Sequence, residues 1–557
     1  MKPNTKKTAV WLPVTVALSV ALGIWIGNAF SNPSNRQSAG IRKLSGILDL
    51  VNSLYVDKVD TDSLIEMSLS DFMAKLDPHS VYIPASDLQA VNEELDGSFS
   101  GIGVVFTILH DTIVVNEVVS GGPSERVGLM PGDRIVTIDD SIASGPGWDQ
   151  ARILRTLRGE KGTEVRLGIR RSTSGDKLLP YTIERGDIPV TSIDASYMIE
   201  PEVGYVRVNK FGRTTYDEFF TSLVQLSAQG AKKFIVDLRS NTGGFMEIAN
   251  LMANEFLPRG ARIVSMRGRN DGDESVIYAD GHGTFLDSEL VVLIDEYSAS
   301  SSEIFAGAIQ DNDRGLVIGR RSFGKGLVQR QIDLPDSSAL RLTTARYYTP
   351  SGRCIQKRYT LGGDSEYELD LLNRMSHGET MSVDSIKVDR SQVYSTMGGR
   401  TVYGGGGILP DIFVPTDTSG LSKYYFNVAN AGLLQKYAFD YVDANRSVLE
   451  NTKDVSELLS TLPADSDLLY SFVQYAHSEA KIPVQWYYIN ISRNLIVNLL
   501  KALIARDIYG VNGYFSVVNP EDPTVIKALD EIAAGTAAFP VTTYLDLDRK
   551  DTGEADY

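Results

Sequence analysis

The clearest structural signal in the chain is the stretch Val291-Val292-Leu293-Ile294-Asp295-Glu296-Tyr297-Ser298-Ala299-Ser300-Ser301-Ser302-Glu303. Its apolar part, residues 291–294, predicts a buried strand that ends in a turn at residues 295–299. A helix is predicted to follow from Ser300 to Gln310. Ser300 then lies beside unpaired helical N–H groups, which suit a tetrahedral oxyanion. Ser300 and Glu303 also fit a capping box, and on local sequence alone that structural role is the better supported one.

A strand–helix–strand pattern precedes this stretch. Residues 204–208 and 233–238 are predicted strands, and residues 214–226 between them form an amphipathic helix. Together they predict a βαβ unit with a right-handed crossover. The second strand leads into Gly243-Gly244, where a backbone N–H can point at the same oxyanion. A tight turn is the simpler explanation of this glycine pair.

A serine nucleophile needs a base, and Lys325 is the candidate. It lies between Gly324 and Gly326, in a loop between apolar strands. A lysine accepts a proton only when neutral, so its pKa must fall from about 10.4 toward about 7–8 through burial. Gln329 falls on the same face of an extended chain and could orient the amine. For a lone lysine, a solvated surface charge is the more common explanation.

Two features of the same region imitate an ATPase. Residues 319–326 nearly fit a P-loop, but Gly326 occupies the position of the hydroxyl that would hold Mg²⁺. The strand at residues 291–296 looks like a Walker B strand, yet it precedes the loop. Residues 327–334 also read as a strand, whereas a P-loop must open a helix. These three departures argue against an ATPase.

The composition narrows the class of protein. The chain has 557 residues, 43% of them hydrophobic, and a formal net charge of −17, which argues against a nucleic-acid partner. The single cysteine, Cys354, excludes an intrachain disulfide and a cysteine-rich zinc site. The 5 histidines show no metal-binding spacing. The cysteine and histidine content therefore gives no sign of a metal site.

The amino terminus has the pattern of a membrane-targeting segment. Lys2, Lys6 and Lys7 precede an uncharged apolar run from Thr8 to Phe30, and about 20 such residues span a bilayer. Because positive charge stays on the cytoplasmic side, the rest of the chain is expected outside the cytoplasm. An uncleaved anchor is favoured over a signal peptide cleaved near residues 27–29.

The segment from Gly97 to Arg185 has short alternating β runs. Its stretch Gly101-Ile102-Gly103-Val104-Val105-Phe106 predicts a glycine-flanked turn before a strand. The backbone N–H groups of Ile102, Gly103 and Val104 could bind a peptide carboxylate, while the strand edge accepts a peptide by β-augmentation. The residues from Gly128 to Ile135 resemble the signature of a PDZ domain. A small β-domain without a ligand is the alternative.

A helix is predicted from Asp149 to Leu157 in this PDZ-like segment, where Ile153 would flank the peptide groove. Arg158 follows this helix and is a candidate for a charge contact between the PDZ-like module and the neighbouring core of the protein.

Several ordered motifs, spread over residues 41–416, resemble the carboxy-terminal processing peptidases, also called tail-specific proteases. The matching stretches are Asp77-Pro78-x-Ser80-x-Tyr82, Asp237-Leu238-Arg239-x-Asn241-x-Gly243-Gly244, Ser298-Ala299-Ser300-x-Ser302-Glu303, Phe323-Gly324-Lys325-Gly326-x-Val328-Gln329, Tyr347-Tyr348-Thr349-Pro350-Ser351-Gly352-Arg353-x-Ile355-Gln356 and Gly407-Ile408-x-Pro410-Asp411. Thr242, Ser301 and Cys354 depart from the usual residues of this family.

The resemblance implies a role for each residue of the site. Ser300 corresponds to the nucleophile, Lys325 to the base and Gln329 to the residue that orients the base. The oxyanion donors would be the backbone N–H groups of Gly243 and Ser301. No metal and no organic cofactor is implied.

The expected fold is multidomain α+β, with an α/β peptidase core of the ClpP/crotonase type. We predict a cytoplasmic stub and transmembrane anchor over residues 1–30 and a linker with a helical segment over residues 31–95. These are followed by a PDZ-like domain over residues 96–186, the peptidase core over residues 187–416 and a mostly helical region over residues 417–557. The resemblance does not reach this last region, whose role stays open.

The resemblance implies an ATP-independent serine endopeptidase that binds free protein C-termini through its PDZ domain and cleaves through an acyl-enzyme. The catalytic part is expected in the periplasm, anchored to the inner membrane. Expected partners are protein or peptide substrates, with a homo-oligomer and an adaptor protein left open. The alternatives are a non-catalytic PDZ scaffold that captures tails in the periplasm and a serine hydrolase of non-peptide acyl groups.

Overall fold

The computed structural model describes residues 38–537 except 110, 120, 146, 172, 173, 176, 271, 363 and 364. The predicted membrane anchor at residues 1–30 lies outside this described part, as does nearly all of the linker that follows it. Within the described part, no helix has the length and apolarity needed to cross a membrane.

Residues 38–73 form a compact unit of their own. It contains the helices α1 (Ala39–Leu54) and α2 (Thr61–Ala74). Ser38 caps α1, because its hydroxyl oxygen accepts a hydrogen bond from the N–H of Ile41 over 3.3 Å. Both helices lie in the segment that the sequence predicts to be helical.

The second unit begins at Ala74 and contains the PDZ-like module. Five of its strands form an antiparallel sheet in the order β3-β4-β5-β7-β8, with β6 paired to β5. Strands β2 and β9 pair separately, at the two ends of the module. The elements up to this point are β1 (Val81–Ile83), α3 (Ala85–Asp96), β2 (Ser98–Gly101), β3 (Val104–Leu109), β4 (Thr112–Val118), α4 (Pro123–Val127), β5 (Arg134–Ile138), β6 (Ser141–Ile142), α5 (Gln150–Leu157), β7 (Glu164–Arg170), β8 (Leu179–Glu184) and β9 (Gly186–Pro189).

A six-stranded sheet forms the peptidase core, in the order β10-β11-β12-β15-β16-β21. Its strands from β11 onward are parallel, and the β11–α6–β12 connection is the predicted βαβ unit. The elements are β10 (Ile193–Glu200), β11 (Val203–Val208), α6 (Thr215–Ala228), β12 (Lys233–Asp237), α7 (Met246–Asn254), β13 (Arg262–Arg267), β14 (Glu274–Tyr278), β15 (Glu289–Ile294), α8 (Ser301–Asp311), β16 (Leu316–Gly319), β17 (Leu327–Asp333), β18 (Ala339–Tyr348), α9 (Ser365–Ser376), β19 (Val393–Ser395), β20 (Thr401–Tyr403) and β21 (Ile412–Phe413).

A second core sheet joins distant parts of the chain. It has the order β1-β18-β13-β14, with β17 paired to the other side of β18. Residues 327–333 are thus a strand, as predicted, and not the helix that a P-loop requires. Through this sheet, β1 brings the segment after Asp77 next to the strand that carries Gln329.

The last part of the described chain is helical. Its helices are α10 (Lys423–Asn430), α11 (Leu433–Leu449), α12 (Val455–Thr461), α13 (Asp465–Ala480), α14 (Trp486–Ile491), α15 (Arg493–Val518) and α16 (Pro523–Ala533). A break at Ser492 separates α14 from α15. The hydroxyl of Ser492 is buried and donates to the hydroxyl of Ser422 over 2.7 Å, which places the break inside the helical core.

Candidate active site

Ser300 lies in the turn between β15 and α8, at the N-cap of the helix. Its backbone angles, φ 56° and ψ −114°, are strained for a residue with a side chain. The turn is held by Asp295, whose Oδ1 accepts the N–H groups of Ser240, Tyr297 and Ser298 over 2.9, 3.0 and 3.1 Å. The fold thus presents the Ser300 side chain from a fixed, strained backbone.

The Gly243 loop packs directly against Ser300. Gly243 has a φ of 103°, and a Cβ at this position would lie 2.7 Å from the Cβ of Ser300. The two predicted oxyanion donors differ in their present partners. The Gly243 N–H donates to the side-chain oxygen of Asn241 over 2.9 Å, whereas the Ser301 N–H has no acceptor among the described residues.

The carboxylate of Glu303 is fully buried and ties the serine to the lysine loop. Its Oε2 accepts the N–H of Ser300 over 2.9 Å and the N–H of Lys325 over 2.8 Å. Its Oε1 accepts the N–H of Gly324 over 2.7 Å and the hydroxyl of Ser322. Burial raises the pKa of Glu303 to about 7, although these hydrogen bonds oppose the rise.

A second tie comes from Tyr347 on β18. Its hydroxyl lies 3.1 Å from the carbonyl oxygen of Ser300 and also within hydrogen-bond distance of the carbonyl oxygen of Lys325. Residues 300 and 325 are therefore joined through Glu303 at their N–H groups and through Tyr347 at their carbonyl groups. The structure brings the predicted serine and lysine to one site.

The Lys325 amine donates to the side-chain oxygen of Gln329 over 3.0 Å. Burial lowers the pKa of Lys325, and the charge of Arg341 lowers it further, while Glu303 and Asp77 act in the opposite direction. No hydrogen bond joins the amine to the Ser300 hydroxyl in the part of the chain that the structure describes. The predicted contact between Lys325 and Gln329 is present.

The loop at residues 77–80 contributes a contact that sequence reasoning missed. The side-chain amide of Gln329 donates to the carbonyl oxygen of His79. Asp77 fixes this loop, because its Oδ1 accepts the N–H groups of His79 and Ser80 over 2.9 Å each. In the sequence, the motif Asp77-Pro78-x-Ser80 pointed to this loop. The local pattern, however, indicated no role for the loop beyond the end of a helical segment.

The imidazole of His79 lies close to Lys325, but its surroundings do not suit a catalytic base. Its Nε2 lies 2.6 Å from the hydroxyl of Tyr367 on α9. Burial and the nearby charge of Lys325 lower the pKa of His79 to about 4, so the ring is neutral at pH 7. Lys357 lies close by, 4.0 Å from the ring centroid of Phe323 and 4.1 Å from that of Tyr367.

Three segments of the chain match models of known protein families. Residues 202–364 match the model of peptidase family S41, residues 100–183 the model of the PDZ domain, and residues 424–510 a family of unknown function. A probable CtpA-like serine protease of Staphylococcus aureus strain N315 is 31% identical over 343 residues, 61% of this chain and 68% of the relative. The carboxy-terminal-processing protease of Bartonella bacilliformis is 33% identical over 354 residues, 63% of this chain and 80% of the relative.

The chain belongs to peptidase family S41. The predicted resemblance is thereby confirmed, and the protein is a serine-type peptidase with a PDZ domain that takes peptide substrates. Among solved structures, the photosystem II D1 C-terminal processing protease matches with 27% identity over 57% of this chain and 91% of that chain, at a TM-score of 0.32.

In this S41 peptidase, the PDZ strand β3 pairs with β4 alone among the described strands, which makes it an edge strand of the sheet, as predicted. The carbonyl groups of Ile102 and Gly103 accept the N–H groups of Ser124 and Val119 over 3.0 Å each, which fixes the turn before this strand. Val104 begins the strand. The backbone of the three residues predicted to bind a carboxylate thus leads into an open sheet edge.

One prediction about the PDZ domain needs correction. Ile153 is wholly buried in the core of the domain and does not flank a groove, because it lies on the inner face of α5. The charge contact predicted for Arg158 is made with the helix before the domain rather than with the peptidase core. The Arg158 guanidinium lies 3.8 Å from the carboxylate of Glu93 in α3 and 4.4 Å from the ring centroid of Phe99 in β2.

No group of three or more His, Cys, Asp or Glu side chains suited to a metal ion occurs among the residues that the structure describes.

Proposed function

We propose that this chain is an ATP-independent serine endopeptidase that cleaves proteins near a free carboxy terminus, with Ser300 as nucleophile and Lys325 as general base. The observation that carries the proposal is that two side chains each contact the backbone of both residues. Glu303 joins their N–H groups and Tyr347 joins their carbonyl groups. The lowered pKa of Lys325 supports the role of a base.

In the first half of the reaction, the neutral Lys325 amine takes the proton of the Ser300 hydroxyl. The oxygen attacks the carbonyl carbon of the scissile peptide bond. The negative charge that develops on the carbonyl oxygen is stabilised by the N–H of Ser301, which has no acceptor among the described residues. The N–H of Gly243 joins when it exchanges Asn241 for the oxyanion.

The carbon–nitrogen bond then breaks, and the Lys325 ammonium gives its proton to the leaving amine. An ester between Ser300 and the substrate acyl group remains. The neutral amine next takes a proton from water, whose oxygen attacks the ester carbon. Return of the proton to Ser300 releases the acid product. Gln329 holds the amine in place throughout, through its side-chain oxygen.

The PDZ domain supports the proposal that the enzyme recognises the carboxy terminus of its substrate. Its β3 edge is open to β-augmentation, and the turn at Ile102, Gly103 and Val104 lies where the carboxylate of an added strand would end. The relative from Bartonella bacilliformis carries carboxy-terminal processing in its name. The resemblance to the tail-specific proteases suggests small or apolar terminal residues in the substrate.

We further propose that the catalytic part works outside the cytoplasm. Lys2, Lys6 and Lys7, followed by the apolar run from Thr8 to Phe30, support an inner-membrane anchor and a periplasmic peptidase. That segment lies outside the described residues.

One experiment tests the proposed activity. The full chain, as wild type and as Ser300→Ala, is incubated with an unfolded reporter protein that ends in small apolar residues. A second reporter with the same sequence carries an amidated terminus. We expect wild type to cleave the free-tailed reporter several-fold faster than the amidated one, and Ser300→Ala to cleave neither.

Each arm has a distinct contradicting result. Cleavage that survives in Ser300→Ala would exclude Ser300 as the nucleophile. Equal cleavage of both reporters by wild type would exclude recognition of the terminal carboxylate by the PDZ domain. Binding of the free tail without any cleavage by wild type would favour the scaffold alternative.

A further inference from the structure

The C-terminal helical region contacts the active-site side of the peptidase core through the carboxylate of Asp522. Asp522 is the N-cap of α16, and its Oδ1 accepts the N–H groups of Thr524 and Val525 over 2.8 and 3.1 Å. Its Oδ2 accepts a hydrogen bond from the Nη1 of Arg239 over 2.7 Å. One carboxylate therefore starts the helix with one oxygen and binds the peptidase core with the other.

Arg239 lies in the loop that follows β12. Its Nη2 donates to Asp237 over 2.6 Å, and its Nε lies 3.0 Å from each oxygen of the same carboxylate. Arg207 donates to Asp237 over 3.1 Å and to the carbonyl oxygen of Arg239 over 3.1 Å. Asp237 has two guanidinium partners, and its single negative charge cannot balance both. Arg207 has a second carboxylate partner in Asp194, 3.6 Å away, and Asp522 is the second carboxylate partner of Arg239.

The loop beyond Arg239 reaches the serine within a few residues. The Ser240 N–H donates to Asp295, which also holds the turn before Ser300. Asn241 accepts the N–H of Gly243 at its side chain and the N–H of Ala299 at its carbonyl oxygen. A displacement of Arg239 would therefore move the Gly243 loop and the Ser300 turn together.

The helical region is anchored firmly enough to fix the position of Asp522. Tyr197 on β10 donates to the carbonyl oxygen of Phe515 over 3.1 Å and accepts from the side-chain amide of Asn519 over 2.7 Å. The Ser196 N–H donates to the side chain of Asn512 over 2.8 Å. These contacts join the end of α15 to the core sheet just before α16 begins.

We propose that Asp522 is a positioning residue for the peptidase reaction, which holds the loop of Gly243 in place through Arg239. The C-terminal helical region then belongs to the catalytic unit of this chain. The inference rests on the proposed function, because it takes Ser300 and the Gly243 loop as the site of reaction. Asp522 touches no reacting atom and acts only through Arg239.

The test uses Asp522→Ser in the full chain. Serine caps a helix about as well as aspartate does, but it has no second oxygen that could reach Arg239. We expect kcat for the free-tailed reporter to fall about tenfold while KM stays within about twofold, since the loop acts on the transition state. Hydrogen exchange at residues 239–245 should become faster.

A matched control is Asp454→Ser. Asp454 is the N-cap of α12 and accepts the N–H of Glu457 over 2.8 Å, in the same helical region. This variant should keep the wild-type kcat and the wild-type exchange at residues 239–245. If Asp522→Ser fails to fold, Asp522→Asn serves instead, because its shape is nearly unchanged and only the charge is lost.

An unchanged kcat in a folded Asp522 variant would overturn the inference. So would a fall in kcat that Asp454→Ser reproduces, because capping alone would then explain it. Failure of the proposed function is distinguishable, since it requires an inactive wild type or an active Ser300→Ala.

Discussion

At the scale of single residues, the surroundings of Lys325 show why two glycines flank it. A Cβ at Gly326 would lie 2.9 Å from the backbone nitrogen of Gln356, and one at Gly324 would lie 3.1 Å from that of Gly407. Neighbouring backbone therefore approaches the loop so closely that a side chain at either position would crowd it. Burial of this kind lowers the pKa of Lys325.

The variant Gln329→Glu tests the protonation state of the base. A carboxylate in place of the amide, about 3.0 Å from the amine, stabilises the ammonium and raises the pKa of Lys325. Because the reaction needs the neutral amine, we expect the rise of kcat/KM with pH to move upward by about one unit or more. At pH 7 the rate should fall at least tenfold.

Gln331→Glu is the matched control for this substitution. Gln331 lies on the same strand, and its side chain contacts Asn92 and Asp333 in an exposed position. This variant should keep the wild-type pH profile. A Gln329→Glu profile that overlies that of the control would show that Lys325 is not the titrating base.

The sequence predicted the three polar residues of the site but not the residues that join them. Ser300, Lys325 and Gln329 lie in short motifs, so each could be read locally. Tyr347 and the carbonyl group of His79 act on those residues from distant parts of the chain. Such contacts depend on strand pairing, since β1 and β17 both pair with β18, and no local pattern reports that pairing.

At the scale of elements, the PDZ domain and helix α11 share a contact. Arg134 on β5 donates to Asp443 over 2.9 Å. Val114 on β4 and Phe439 on α11 are buried against each other. These two contacts, together with packing of β4 against α15, form a small interface for holding a domain, so the loss of the first two should be measurable.

The double variant Phe439→Ala and Asp443→Ala removes both contacts. We expect the interaction free energy between the PDZ domain and α11 to fall by about 3 kcal/mol, chiefly because the phenyl ring is lost. Such a change multiplies the population of molecules with a detached PDZ domain roughly 100-fold. Small-angle X-ray scattering should then report a larger radius of gyration. Phe426→Ala, at a side chain that is 49% exposed on α10, should leave it unchanged. An unaltered scattering curve for the double variant would mean that other contacts hold the domain.

Helix α15 contains a carboxyl group with a pH-dependent effect on stability. Burial raises the pKa of Asp507 to about 6, although Arg506 and Arg446 oppose the rise. The unfolded value is about 3.9, so the folded state binds the proton more tightly. Stability from this group is complete below about pH 4 and is lost as the pH rises through about 6.

Asp507→Asn should therefore match the wild type in melting temperature at pH 4 and exceed it at pH 8. The gain should be about 1–2 kcal/mol, reduced by the partial contact of Asp507 with water. Asp530→Asn, at an exposed position of α16, should follow the wild type at both pH values. A wild type that melts higher than Asp507→Asn at pH 8 would contradict the assignment.

At the scale of the molecule, the core sheet is covered on both faces. Val292 and Ile294 pack with α6, α7 and α8 in one cluster. Val291 and Leu293 pack on the opposite face with residues of α16. The unbroken apolar run of β15 is typical of a strand buried on both sides. The apolar run indicated that β15 is buried. It could not indicate that the second face is covered by α16, because this helix lies at the far end of the chain, outside the recognised motifs.

This arrangement predicts that α16 and the core sheet unfold together. Ile532 is buried against the sheet, so Ile532→Ala should cost about 3 kcal/mol and lower the melting temperature of the whole peptidase. Ile526 lies on the same helix but is 40% exposed, and Ile526→Ala should cost less than about 1 kcal/mol. Hydrogen exchange should accelerate in β12 and β15 in the first variant only. If exchange accelerates in α16 alone, the helix unfolds without the sheet and is not part of the same cooperative unit.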